Sequence, residues 1–305
     1  MIMASNYGDT YMAVLYILVQ QLAHQGESMI VRHYGKKHGA GGFLFNSVIC
    51  LFAMVFFVVT DKGGLYFDPS LWKFGIINGV LYASGFYFAY LAYKVGPYLL
   101  THAISGLSFV LPLAYGLFIL KEPSNYMTYL ALSCTFVSFF LMLYGKSKNK
   151  RSDNEGKKLS FLWLLATIIT LLSNGLISIL AKMQQATFAK QYSNEYMVIT
   201  LSGATLFLLI VGFIMERDTM KQTFLKGSAY GMAAGLLNGT KNFANLMAIS
   251  LVPLSLLTPL KSAITKPLNL FVALVIYKEK YNLLQYLSIG FSVLSMFLMQ
   301  VAKYI

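Results

Sequence analysis

The sequence predicts an all-α polytopic membrane protein whose ten transmembrane helices form two inverted five-helix repeats. Three observations carry that expectation. Of 305 residues, 57% are hydrophobic and only 11% are charged, against roughly a quarter charged in a soluble domain. The apolar residues come in blocks of about twenty, the length at which a helix crosses ~30 Å of hydrocarbon. The third observation is a repeat. Residues 121–142, KEPSNYMTYLALSCTFVSFFLM, laid without a gap on 278–299, KEKYNLLQYLSIGFSVLSMFLM, agree at nine of twenty-two positions. At an offset one residue different, Gly75, Gly79 and Pro97 fall on Gly231, Gly235 and Pro253. Five spans per copy is an odd number, so the second copy runs upside down. The boundaries follow as 1–145 for the first repeat, 146–159 for a basic linker and 160–305 for the second repeat.

Span 1 covers 11–31. The residues before it, MIMASNYGDT, hold no Lys or Arg, so the basic start of a cleavable signal is missing and the span is expected to be retained. Its AHQGES stretch puts His24 and Glu27 on one face. Glu27 is the lone carboxylate of the predicted spans, about four residues from the end of its own. Spans 2 (40–60) and 3 (73–93) are apolar, and span 3 is crowded with Tyr82, Phe86, Tyr87 and Tyr90, for which packing or lipid contact is expected. Span 4 (97–119) holds His102. Span 5 (124–145) follows Glu122, an acid suited to the positive end of a helix. Span 6 (160–181) contains Asn174, and span 7 covers 196–215.

Span 8 (227–250) has Gly227, Gly231, Gly235 and Gly239 at four-residue spacing, which lets helix backbones approach closely. On a neighbouring face lie Asn238, Lys241, Asn242 and Asn245. Span 9 (254–276) carries Thr258, Lys261, Ser262, Thr265, Lys266 and Asn269 within an arc of about 140°. Pro259 and Pro267 each free a backbone carbonyl there and favour a bend. Span 10 (283–303) repeats span 5, with Glu279 standing where Glu122 does.

The same composition excludes several classes. Cys50 and Cys134 both fall in spans, so no disulfide framework or metal site is expected. The net charge of +13 does not point to nucleic acid, because most of the basic residues sit in connectors, where they set topology and meet lipid headgroups. Fifteen Lys and Arg lie on the side of the 146–158 linker and six on the other. That count places the linker in the cytoplasm and both termini outside.

Two five-helix halves, each with a KE before its last span, resemble the drug/metabolite transporter superfamily, of the EamA type. LLSNGLISILAKMQQ in span 6, GLLNGTKNFANL in span 8 and VPLSLLTPLKSAIT in span 9 add to the resemblance, which covers nearly the whole chain. It implies a ten-helix carrier for small metabolites with a central cavity lined by spans 1, 3, 4, 6, 8 and 9. It also implies cytoplasmic termini, opposite to the charge count.

A lysine at mid-membrane costs several kcal/mol, and a polar stripe on a spanning helix must face protein or water. Three intramembrane lysines against one glutamate leave +2, which a substrate carboxylate or phosphate would balance. The expected substrate-binding set is Lys266 first, then Lys261, Lys241, Asn242, Asn245, Asn238, Thr258, Thr265, His102 and Asn174. His24 and Glu27 are candidates for proton coupling. No HExxH, GxSxG or nucleotide-binding loop appears, so no enzyme, cofactor or metal is expected. The function expected is a secondary transporter of an anionic or zwitterionic, amino-acid-like metabolite by alternating access. It would be a multi-pass protein of the cell membrane, as a monomer or homodimer. An integral membrane enzyme or a channel is the alternative.

Overall fold

The structure is a computed structural model that describes residues 7–38, 42–96, 101, 104–105, 107–149, 160–276 and 282–302. His102, Glu279 and residues 150–159 of the linker lie outside the described residues. The protein is all-α, and the described residues form ten helical segments. They are α1 (Tyr7–His38), α2 (Phe43–Thr60), α3 (Leu71–Val95), α4 (Leu107–Ile119), α5 (Tyr126–Asn149), α6 (Phe161–Thr187), α7 (Ser193–Met215), α8 (Ser228–Leu251), α9 (Leu254–Phe271) and α10 (Leu283–Val301). Five of them, α2, α3, α5, α6 and α7, are long and apolar enough to cross a membrane. The first helix runs longer than its hydropathy indicated. Its polar end RHYGKKH stays helical, so Glu27 sits about three turns from the C-terminus and not one.

Exposed faces of two helices are themselves apolar. On α1 the exposed stripe is Tyr11, Met12, Leu15, Leu18, Val19 and Leu22, recurring at helical period. On α7 it is Leu206, Phe207, Ile210, Phe213 and Ile214. Continuous apolar stripes of this size are foreign to a water-facing surface.

The chain divides into two compact units that cut across the sequence halves. One contains Leu18–Tyr87 and Leu176–Ser250; the other contains Met1–Ile17, Phe88–Gly175 and Leu251–Ile305. In the first of these, α2 packs on α7. The N-cap position of α2 is Gly42, which has no side chain to cap with. Glu216, at the end of α7, fills that role from a distance in sequence. Its Oε1 accepts from Phe43 N at 2.8 Å and its Oε2 from Leu44 N at 3.0 Å. At the other end Asn194, in the first turn of α7, donates to Asp61 just after α2. The two helices are therefore antiparallel.

Glycines set how closely the neighbours approach. A Cβ on Gly75 of α3 would stand 2.6 Å from Ile199, and one on Gly79 would stand 3.0 Å from the Thr200 carbonyl oxygen, both on α7. A Cβ on Gly231 of α8 would stand 2.6 Å from Val48, and one on Gly235 would stand 2.7 Å from the Ile49 carbonyl oxygen, both on α2. Two glycines four apart thus lie against the facing helix, once in each half of the sequence. The α8 ridge does not meet Gly75 and Gly79. Gly239 continues it against Phe56, and Gly227 lies against Tyr34.

In the other unit α5 packs on α10, and α9 packs on both and on α4. Asn125, before α5, donates to the Ala302 carbonyl at 2.7 Å, and Asn282, before α10, donates to the Gly145 carbonyl at 2.6 Å. In the gapless register that lays residue 121 on 278 these asparagines coincide, as do Gly145 and Ala302. Deeper in the interface Ser138 donates to the Ser288 carbonyl and its counterpart Ser295 donates to the Ala131 carbonyl. Each bond is the image of the other. Glu122 caps a helix, but not the one that follows it. Its two oxygens accept from Leu254 N (2.8 Å) and Ser255 N (2.9 Å) at the start of α9, where the N-cap residue is Pro253.

Candidate functional site

The polar residues of α1 and α8 meet inside the first-described unit. Glu27 has a side-chain exposure of 13%, so it does not reach a surface. Lys241 Nζ donates to its Oε2 at 2.6 Å and Asn238 Nδ2 to its Oε1 at 2.7 Å. Asn242 Nδ2 passes the chain on to Asn238 Oδ1 at 2.7 Å, and Tyr82 Oη donates to Asn242 Oδ1 at 3.3 Å. One turn before Glu27, the exposed His24 brings Nδ1 to 3.9 Å from Oε2. A further turn back, Gln20 Nε2 donates to Asn245 Oδ1 at 3.3 Å. The result is a continuous polar seam between α1 and α8, closed at one side by Tyr82 of α3.

The helical spacing of Asn238, Lys241, Asn242 and Asn245 on α8 places them on one face, as expected. Two contributors were not expected. Gln20, His24 and Glu27 are spaced i, i+4, i+7, a signal available in the sequence. Tyr82 reads from the sequence as a packing or lipid-facing residue, and nothing in the sequence marks its hydroxyl. Lys241 also differs from expectation in its state. Its ammonium is engaged by Glu27, so this seam contains one matched pair of opposite charges.

The stripe on α9 belongs to the other unit. The helix continues through Pro259 and Pro267, and no residue from Leu254 to Leu270 is exposed. Its leucine face, Leu254, Leu256, Leu257 and Leu260, is fully buried. Thr258, Lys261, Thr265 and Lys266 are half-buried. Lys266 Nζ donates to Ser138 Oγ at the α5–α10 interface. Lys261, half-buried as well, is a second cationic side chain on this interior helix. Asn174, on α6, is exposed.

Another lysine escaped the sequence reading because it lies one residue beyond the expected end of span 6. Lys182 Nζ donates to the Ile249 carbonyl at 2.8 Å, satisfying one of the last carbonyls of α8 and placing positive charge at the negative end of its dipole. Among the described residues no group of His, Cys, Asp and Glu could hold a metal ion.

No family model and no curated protein matches the chain. A solved structure, described only as "Crystal structure of protein", is similar over 94% of this chain and 98% of its own, with a TM-score of 0.70 at 14% sequence identity. At that identity the likeness speaks to the fold alone.

Proposed function

We propose that this chain is a secondary carrier of the drug/metabolite transporter kind, set in a cell membrane by ten helices and working by alternating access. Its substrate is a small anionic or zwitterionic metabolite resembling an amino acid. The observation that carries this reading is the reciprocal pairing of equivalent helices. α2 lies antiparallel to α7, and α5 meets α10 through bonds that repeat as images, the contacts that two inverted copies of five helices would make. The apolar stripes on the exposed faces of α1 and α7 support insertion in lipid.

The polar interior supports the substrate class. Replacing a buried ion pair by apolar residues is often neutral or stabilising, so Glu27–Lys241 is not explained by fold stability. With Lys241 paired to Glu27, Lys266 on α9, whose ammonium donates to the uncharged Ser138 hydroxyl, suits a carboxylate or phosphate on the substrate. Asn242, Asn245 and Tyr82 supply uncharged donors and acceptors for the rest of it.

Purified protein in liposomes preloaded with unlabelled solute tests the proposal by counterflow of radiolabelled amino acids, dicarboxylates and sugar phosphates. At least one class should accumulate faster than in empty liposomes. Uptake equal to empty liposomes for all three sinks the carrier reading. Within a positive result, Lys266→Met should fold normally and lose transport of the anionic solute. Unchanged affinity in that variant removes Lys266 from the site.

A further inference from the structure

The C-terminal end of α1 and the turn that leads into α8 gather cations for which the transport reading has no use. His33 and Lys37 are exposed and His38 is half-buried. Lys226, from the π-turn Thr223–Gly227, is exposed as well. Lys37, Lys226 and His33 stand close enough to His38 to act on its titration. Partial burial first, and then their positive charge, hold that imidazole below its ordinary range. Among the described residues no ion pair includes any of the four. Of the acids nearest in sequence, Glu27 is engaged by Lys241, Glu216 is committed to the start of α2, and the exposed Asp218 stands beside Arg217. The cluster is therefore a local excess of positive charge.

The floor beneath it is aromatic. Tyr34 is fully buried and stacks on Phe45 with centroids 4.1 Å apart. Tyr230 joins both Tyr34 (5.6 Å) and His33 (5.8 Å), and His38 sits 5.2 Å from Tyr34. Gln222 Nε2 donates to the His38 carbonyl, tying the turn to the end of α1. The turn has a second character as well. Phe224 and Leu225, directly before Lys226, are exposed at 39% and 74%. The Phe224 ring lies 6.5 Å from that of Phe213, on the apolar stripe of α7. Cations and exposed apolar side chains thus alternate within a few residues, the combination that meets a phosphate headgroup and its acyl chains together.

We infer that this end of the protein is a binding site for an anionic membrane lipid, its phosphate held by Lys37, Lys226 and the two histidines and its chains lying along Phe213, Phe224 and Leu225. The inference rests on insertion in a bilayer and not on transport.

The test uses the full chain in detergent, titrated with phosphatidylglycerol or phosphatidylcholine and read by native mass spectrometry. Phosphatidylglycerol should bind the wild type more tightly. Each lysine near a headgroup contributes roughly a five-fold change in affinity. Lys37→Gln with Lys226→Gln should therefore weaken phosphatidylglycerol by roughly twenty-five-fold while leaving phosphatidylcholine and the lipid-free melting temperature unchanged. Lys62→Gln, in the connector after α2, should change nothing. Equal binding of both lipids, or unchanged phosphatidylglycerol affinity in the double variant, overturns the site. Inorganic phosphate binding as tightly as phosphatidylglycerol would make the occupant a free anion and overturn it too.

Discussion

Replacing Lys241 with methionine keeps the stem of the side chain and removes the ammonium that sits 2.6 Å from Glu27. Asn238 still donates to the carboxylate, but its charge is left uncompensated in a site with little access to water. Breaking a buried pair in this way costs about 3–5 kcal/mol. A ceiling can be placed on the loss, because the carboxyl can escape by taking a proton. At pH 7, neutralising an acid of ordinary pKa near 4.3 costs about 4 kcal/mol, and at pH 5 about 1 kcal/mol. The destabilisation should therefore shrink as pH falls. The double variant Glu27→Gln with Lys241→Met removes both charges and should recover most of the loss. In melting followed by intrinsic fluorescence in detergent, about 2 °C per kcal/mol gives Lys241→Met a drop of about 8 °C at pH 7. If the double variant melts no higher than Lys241→Met and the drop is independent of pH, the two residues do not stabilise each other and the seam is misread.

Asn125→Ala and Asn282→Ala each remove one image of the same hydrogen bond and should lower stability by about 1 kcal/mol; equal shifts in melting temperature are the check, and a shift in only one denies their equivalence. Glu216→Gln and Glu122→Gln each weaken a charged cap and should cost about 1–2 kcal/mol, read in the same melts. Gly235→Leu and Gly212→Leu should both abolish a monodisperse peak in size-exclusion chromatography. Their Cβ atoms would stand 2.7 Å from the Ile49 carbonyl oxygen and 2.9 Å from Leu44 N, whereas Gly290→Leu, with nothing within 4 Å, should be tolerated.

That last comparison shows where sequence reasoning stopped. The glycines of α8 announce themselves by spacing, but Gly212 stands alone in an apolar run and reads as a minor residue. Its tightness comes from α2, whose approach is a tertiary fact. The helices themselves were legible, because blocks of apolar residues are long and their polar connectors short. The end of α1 was not, since RHYGKKH carries helix-compatible residues with no hydropathy to mark them. Within the seam, i, i+3, i+4 spacing brought the α8 amides onto one face. It could not show that Glu27 would meet Lys241, 214 residues later in the chain. Glu122 reads as an acid at the start of the helix that follows it, but the helix it serves, α9, becomes its neighbour only on folding.

The two remote caps differ in one respect that matters during synthesis. Glu122 is already made when α9 emerges, so the amides of Leu254 and Ser255 find their acceptor at once. Glu216 is made 173 residues after Phe43. At translation rates of about 5–20 residues per second, the first turn of α2 waits roughly 9–35 seconds for its partner. Unsatisfied amides are expensive in hydrocarbon, so for a chain inserted as proposed the start of α2 belongs at the wet boundary of the bilayer during that interval. In the proposed carrier the first half of the chain therefore enters the membrane with one helix end unfinished, and the arrival of α7 is the event that completes it.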